Sequence, residues 1–208
     1  MGSTSGTSHQ RTSWFPRAAC EAPALSRAGP LSASLRRRAP LAPGCACDTR
    51  AVTTFDALGS ELQSTWLREI PLAASLAIEV AACARDELAV RAPLAPNRNL
   101  HGTAFAGSLF SVCVLTGWGA AWLALAQRGI EGLIVVSESR IQYRKAVTGD
   151  LVCRCRPDLE LVEQRLAGLT QSGRATLPLA CSIDQDGKRA VAFDGEYVVH
   201  LKKGSHGG

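Results

Sequence analysis

From residue 51 onward the chain has no excess of either charge: 16 basic side chains face 16 acidic ones. A neutral domain offers a phosphate backbone no electrostatic footprint, which excludes nucleic acid as the expected partner and leaves small molecules. The formal charge of +5 belongs to residues 1–50, where seven arginines meet only Glu21 and Asp48. Zinc-site spacing is also missing. Cys45-Ala-Cys47 and Cys153-Arg-Cys155 have the wrong separation, and no histidine pattern completes them. The eight cysteines form no secreted framework. Cys83, Cys113 and Cys181 lie in apolar segments, where a free thiol behaves as a small hydrophobe. A reducing cytoplasm is therefore the expected compartment, and neither a metal nor any other cofactor is expected. No apolar signal-peptide core is present, which argues against secretion.

The most telling absence is charge between Ala104 and Ala126. A run that is apolar on every face is a helix buried on every face, in protein or in lipid. About 20 apolar residues suffice to span a bilayer. Against a membrane span, the run holds Ser108, Ser111, Thr116, Gly107, Gly117 and Gly119, and no Lys/Arg cluster flanks it to set an orientation. Segments with a period of two lie on both sides, so the run is expected to be the core helix of a soluble sheet domain. A cluster of small and polar residues, Asn97, Asn99, His101, Gly102 and Thr103, sits at its N-terminal mouth.

Three regions are expected. Residues 1–52 are rich in Ser, Pro, Ala and Arg and read as a disordered or processed extension, either a transit-like segment or a solvated tail. Residues 53–202 read as the domain, and 203–208 as a frayed tail. Within the domain, Phe55, Leu58, Leu62 and Trp66 recur at helical spacing behind a Thr54 N-cap, and Pro71 ends that helix. Leu76 to Ala84 and Leu88 to Leu94 alternate as a hairpin. After the central helix come a strand from Leu133 to Lys145, a turn at Val147–Asp150, and a strand from Leu151 to Arg156. Asp158 then opens a short helix striped by Leu159, Val162, Leu166 and Leu169. Two further strands meet at the turn Asp184–Gly187. One long apolar helix with about six strands, most joined by short turns, is an α+β domain whose antiparallel sheet curls around the helix.

This order resembles the hotdog fold. The run Asn97-Arg98-Asn99-Leu100-His101-Gly102-Thr103-Ala104-Phe105-Ala106-Gly107-Ser108-Leu109, followed by Leu115-Thr116-Gly117-Trp118-Gly119, is similar to the thioesterase family found as the C-terminal half of YiiD-type proteins. The resemblance covers roughly residues 55–201, and the acetyltransferase half that precedes those domains has no counterpart in residues 1–54. The His101-Gly102 step and Ile141-Gln142-Tyr143-Arg144-Lys145-Ala146 resemble the wider acyl-CoA thioesterase pattern.

The resemblance implies hydrolysis of acyl-CoA or another acyl thioester, with a non-hydrolytic domain that binds acyl-CoA or acyl carrier protein as the alternative. It also implies a homodimer or dimer of dimers, with the thioester between protomers and its carbonyl near the helix N-terminus. Orphan N–H groups and the helix dipole suit a developing oxyanion there. Carried over by position, Asn99, His101, Gly102 and Thr103 are the candidate catalytic group. Asn97, Ser108, Tyr143 and Arg144 are the candidate substrate-binding group. Asn and His at a helix start also serve simply as caps and turn residues. The sequence departs from the pattern of many related thioesterases in one respect: Phe105 to Leu115 contains no acid, so a base has to come from elsewhere, with Glu79, Glu138 or the partner chain as candidates.

Overall fold

Thr54 caps the first helix, α1 (Phe55–Glu69), by accepting the Ala57 N–H at 3.3 Å. This satisfies one of the donors that a helix start leaves open. The computed structural model describes residues 54–202. The extension expected at 1–52 and the tail expected at 203–208 lie outside the described residues. Leu58, Leu62 and Trp66 are buried, as their spacing predicts. Pro71 opens a second short helix, α2 (Pro71–Ser75), because a proline at the first helical position forfeits no hydrogen bond. The first strand is correspondingly shorter than the alternation suggests. β1 is Glu79–Cys83, and a bulge between Val80 and Ala82 turns Cys83 inward in place of Ala82. β2 (Leu88–Ala92) stops before Pro93, which has no N–H for a ladder, and the chain enters α3 (Leu94–Asn97).

The core helix is α4 (Ala106–Ala126), followed by β3 (Gly132–Tyr143), β4 (Leu151–Cys155), α5 (Leu159–Ala167), α6 (Leu169–Ser172), β5 (Arg174–Gln185) and β6 (Lys188–Leu201). Asp158 caps α5 by accepting the N–H groups of Glu160 and Leu161 at 3.1 Å each. Asp186 and Gly187, with φ of +52° and +69°, make the two-residue turn between β5 and β6. All six strands join one antiparallel sheet in the order β1-β2-β4-β5-β6-β3, and α4 packs against five of them, from β2 to β6. Two glycines permit this close contact. A Cβ on Gly117 would lie 2.2 Å from the Tyr197 hydroxyl, and one on Gly119 would lie 2.7 Å from the Trp66 ring. The Tyr197 hydroxyl donates to the Val114 carbonyl at 2.9 Å, and burial pushes the phenol far above its ordinary pKa, so it remains a donor.

Two features depart from the sequence pattern. In β3 a bulge between Val136 and Glu138 exchanges the faces. Register with β6 puts Ile134 and Val136 on the helix side together with Ser139, Ile141 and Tyr143, groups that strict alternation separates. The second concerns α4, which is long and apolar enough to cross a membrane and is mostly buried in the domain. Its burial is nonetheless incomplete. Phe110 is 38% exposed, and Ser111, Val114, Trp118 and Trp122 are half-buried along one flank. That flank meets β3, an edge strand on which Leu133, Val135 and Val136 are also exposed.

Candidate active site

The loop between α3 and α4 is built around the Asn99 side chain. Its oxygen accepts the N–H groups of His101 at 2.8 Å and Thr103 at 3.2 Å. Its amide nitrogen donates to the Thr103 hydroxyl at 3.0 Å and to the Ala104 carbonyl at 3.4 Å. Between them Gly102 turns the chain at φ +80°, a left-handed conformation that favours glycine. An Arg98–Ala104 bridge and the Asn99 N–H to Thr103 carbonyl bond, at 2.7 Å, close the loop. Asn97 lies beneath it, 2% exposed, donating to the carbonyls of Leu76 at 2.9 Å and Pro93 at 2.8 Å.

What this loop delivers is an open helix start. Phe105 occupies the N-cap of α4 and provides no side-chain hydrogen bond. The main-chain N–H groups of Ala106, Gly107 and Ser108 meet no acceptor among the described residues. No acidic side chain occupies the first turn, so the positive end of the helix dipole is unopposed there. The Phe105 ring lies over Gly107, where a Cβ would come within 2.4 Å of it.

Beside this start is a cavity of about 330 Å³ lined by Asn99, Ala104, Ala106, Leu109 and the segment Tyr143–Val147. The Tyr143 hydroxyl donates to the Ala106 carbonyl at 3.1 Å, and burial followed by the Cys113 thiol pushes the phenol above its ordinary pKa. The Arg144 guanidinium is exposed and reaches Gln142 at 2.7 Å. A slightly larger cavity, about 370 Å³, lies at the other end of α4 against α5. Its rim groups Glu87, Arg128 and Glu163 are already engaged in ion pairs, and the helix start on its lining, that of α5 at Leu159, is capped by Asp158.

The structure thus brings Asn99, Tyr143 and Arg144 to one cavity at the helix start. Ser108 is nearly buried in the first turn, and Thr103 is half-buried against Asn99. His101 and Gly102 stand exposed on the loop tip. The amide nitrogen of Asn97 is committed to main-chain carbonyls. Of the two carboxylates considered as bases, Glu79 is ion-paired to Arg91, and Glu138 sits opposite Glu196 on the face of the sheet turned away from α4. Sequence reasoning saw a turn at Val147–Asp150 and missed that this connection grips the loop. The Val147 carbonyl accepts the Ala104 N–H at 2.8 Å, and only the folded register reveals it.

The family described as "Putative thioesterase (yiiD_Cterm)" matches residues 59–201. A putative thioesterase from Shewanella oneidensis is similar at 37% identity and a TM-score of 0.63, over 71% of this chain and 99% of that one. A protein of unknown function from Chlorobaculum tepidum is similar at 27% identity and a TM-score of 0.70, over 74% of this chain and 100% of that one. A thioesterase from Haemophilus influenzae shares the fold at 17% identity and a TM-score of 0.54, over 74% of this chain and 95% of that one.

Proposed function

This chain belongs to the putative thioesterase family of YiiD C-terminal domains, has the hotdog fold of its structural neighbours, and we propose that it hydrolyses acyl-CoA or another acyl thioester as a homodimer. The observation that carries the proposal is the open start of α4, with three unpaired N–H donors beside a cavity whose floor is apolar.

A thioester carbonyl placed at that start meets the donors of Ala106, Gly107 and Ser108. As water adds to the carbonyl carbon, the oxygen gains charge, and preorganised N–H groups hold that charge better than they hold the neutral carbonyl. Collapse of the intermediate breaks the carbon–sulfur bond, giving a carboxylic acid and a free thiol. The proton leaving the water passes to His101, on the exposed tip of the loop before α4, and from there to the departing sulfur. Arg144 supplies a guanidinium for a phosphate of the thiol carrier. A second copy covers the half-exposed flank of α4 and the exposed edge strand β3, which would otherwise leave Phe110, Val135, Val136 and Trp118 in water. The free thiols of Cys83, Cys113, Cys153, Cys155 and Cys181 support a reducing, cytoplasmic compartment.

One observation favours the non-hydrolytic alternative, a domain that binds acyl-CoA or acyl carrier protein. Neither α4 nor the helix-facing side of β3 carries an acid. The test is release of free thiol from a panel of acyl-CoAs, with the His101→Ala variant alongside. Hydrolysis predicts turnover that falls by about 10²–10⁴-fold in the variant. Acyl-CoA that binds but is never cleaved, at any chain length, would establish the binding domain instead.

A further inference from the structure

The end of β3 and its connection to β4 hold the start of α4 at three points. Tyr143 bonds the Ala106 carbonyl, and Val147 accepts from Ala104, as described above. The third hold is indirect and runs through Asp150. One of its carboxylate oxygens accepts the Leu94 N–H at 2.9 Å, and the other accepts the Arg91 guanidinium, with Nε at 3.1 Å. Leu94 opens α3, and Asn97 closes it. The Asn97 carbonyl accepts the N–H of Phe105, the residue at the N-cap of α4, at 2.7 Å. A carboxylate at the end of the connection is therefore linked, through one turn of helix, to the residue that sets the open helix start.

That turn needs an external anchor. α3 is four residues long and has no side-chain cap from Pro93, and so short a helix does not hold its shape alone. The Leu94 N–H and then Arg91 hold the Asp150 carboxyl below the usual carboxylate range, so it is ionised at neutral pH and available as that anchor. Arg91 is itself fixed by Glu79.

We propose that Asp150 is a positioning residue for the active site: through Leu94, Asn97 and Phe105 it holds the unpaired N–H groups of α4 where a thioester carbonyl meets them. Asp150 itself touches no substrate. Its effect on turnover rests on the thioesterase reading; its effect on the loop does not. Preorganised donors act in the transition state only when held to within about 0.5 Å, so loosening the anchor lowers kcat more than it raises KM.

The experiment uses the full chain as wild type, Asp150→Ala, Asp150→Asn, and Arg128→Gln as a control. Arg128 pairs with Glu163 at the other end of α4 from the loop. Amide hydrogen exchange is read over residues 98–106 and over β5 and β6, and kcat and KM are measured separately on an acyl-CoA that the wild type cleaves. Asp150→Ala should speed exchange in 98–106 by about tenfold or more while β5 and β6 keep their protection. It should lower kcat by about tenfold or more with a smaller change in KM. Asp150→Asn keeps an acceptor for Leu94 but loses the ion pair, and falls between; Arg128→Gln matches the wild type. Unchanged exchange in 98–106, equal acceleration everywhere, or a loosened loop with unaltered kcat would each overturn the assignment. If the wild type cleaves no thioester, the thioesterase reading fails and exchange alone decides the role of Asp150.

Discussion

The two ends of α4 are made differently. At the C-terminal end the groups that a helix leaves open are satisfied. Gln127 donates its side-chain amide to the Leu123 carbonyl at 3.1 Å, Arg128 donates to the Ala124 carbonyl, and Ile130 N–H returns to the Leu125 carbonyl at 3.1 Å past Gly129 at φ +63°. At the N-terminal end a phenylalanine stands where Ser, Thr, Asp or Asn would cap, and three N–H groups lack acceptors among the described residues. A helix closed at one end and left open at the other gives up stability at the end that keeps donors free for a ligand. Cavity size does not separate the ends, since the larger hollow lies at the closed one; unpaired donors do.

Closing the open end should have the largest effect. Phe105→Asp installs a cap whose carboxylate accepts from the first turn. Thioester turnover should fall by about 10²-fold, while denaturant unfolding shows a gain of up to about 1 kcal/mol. A variant that is more stable and equally active would dissolve the contrast between the ends. Next is the middle of the helix. Gly117→Ala drives a methyl into the Tyr197 ring and should cost about 1–3 kcal/mol in chemical denaturation, because Tyr197 is anchored to Val114 and cannot withdraw freely. At the closed end, Arg128→Gln removes the pair with Glu163 and should cost no more than about 1 kcal/mol, with turnover unchanged. The smallest effect depends on pH. Burial raises the Glu87 carboxyl, but hydrogen bonds and charge from Arg154 and Arg156 outweigh it and hold the group below its ordinary value. A depressed carboxylate contributes stability that is present above its unfolded pKa of about 4.3 and is lost as pH falls through the lower folded value. The stability gap between wild type and Glu87→Gln should therefore be constant near neutrality and shrink in acid; a gap that grows in acid would reverse the sign.

Much of the fold was legible because it rests on local rules. The Thr54 and Asp158 caps, the Asp186-Gly187 turn and the uncharged run of α4 each follow from one residue type at one position. The bulges in β1 and β3 were not legible, because a bulge is decided by the partner strand and leaves no mark in a period-two pattern. The exposed flank of α4 was likewise hidden, since an apolar helix looks the same whether a sheet or a second copy covers it. The resemblance pointed to Asn99, Tyr143 and Arg144, which the fold brings to one cavity at the helix start. The grip of Asp150 and Val147 on the loop was missed, because it joins residues more than forty positions apart that only the sheet register brings together.

The most direct measurement is a crystal structure of the chain with a non-cleavable acyl-CoA analogue. The carbonyl oxygen should lie about 3 Å from N–H groups of Ala106, Gly107 or Ser108, with the acyl group over Leu109 in the cavity beside Tyr143. A carbonyl seated instead in the hollow between α4 and α5, with the helix start empty, would contradict it.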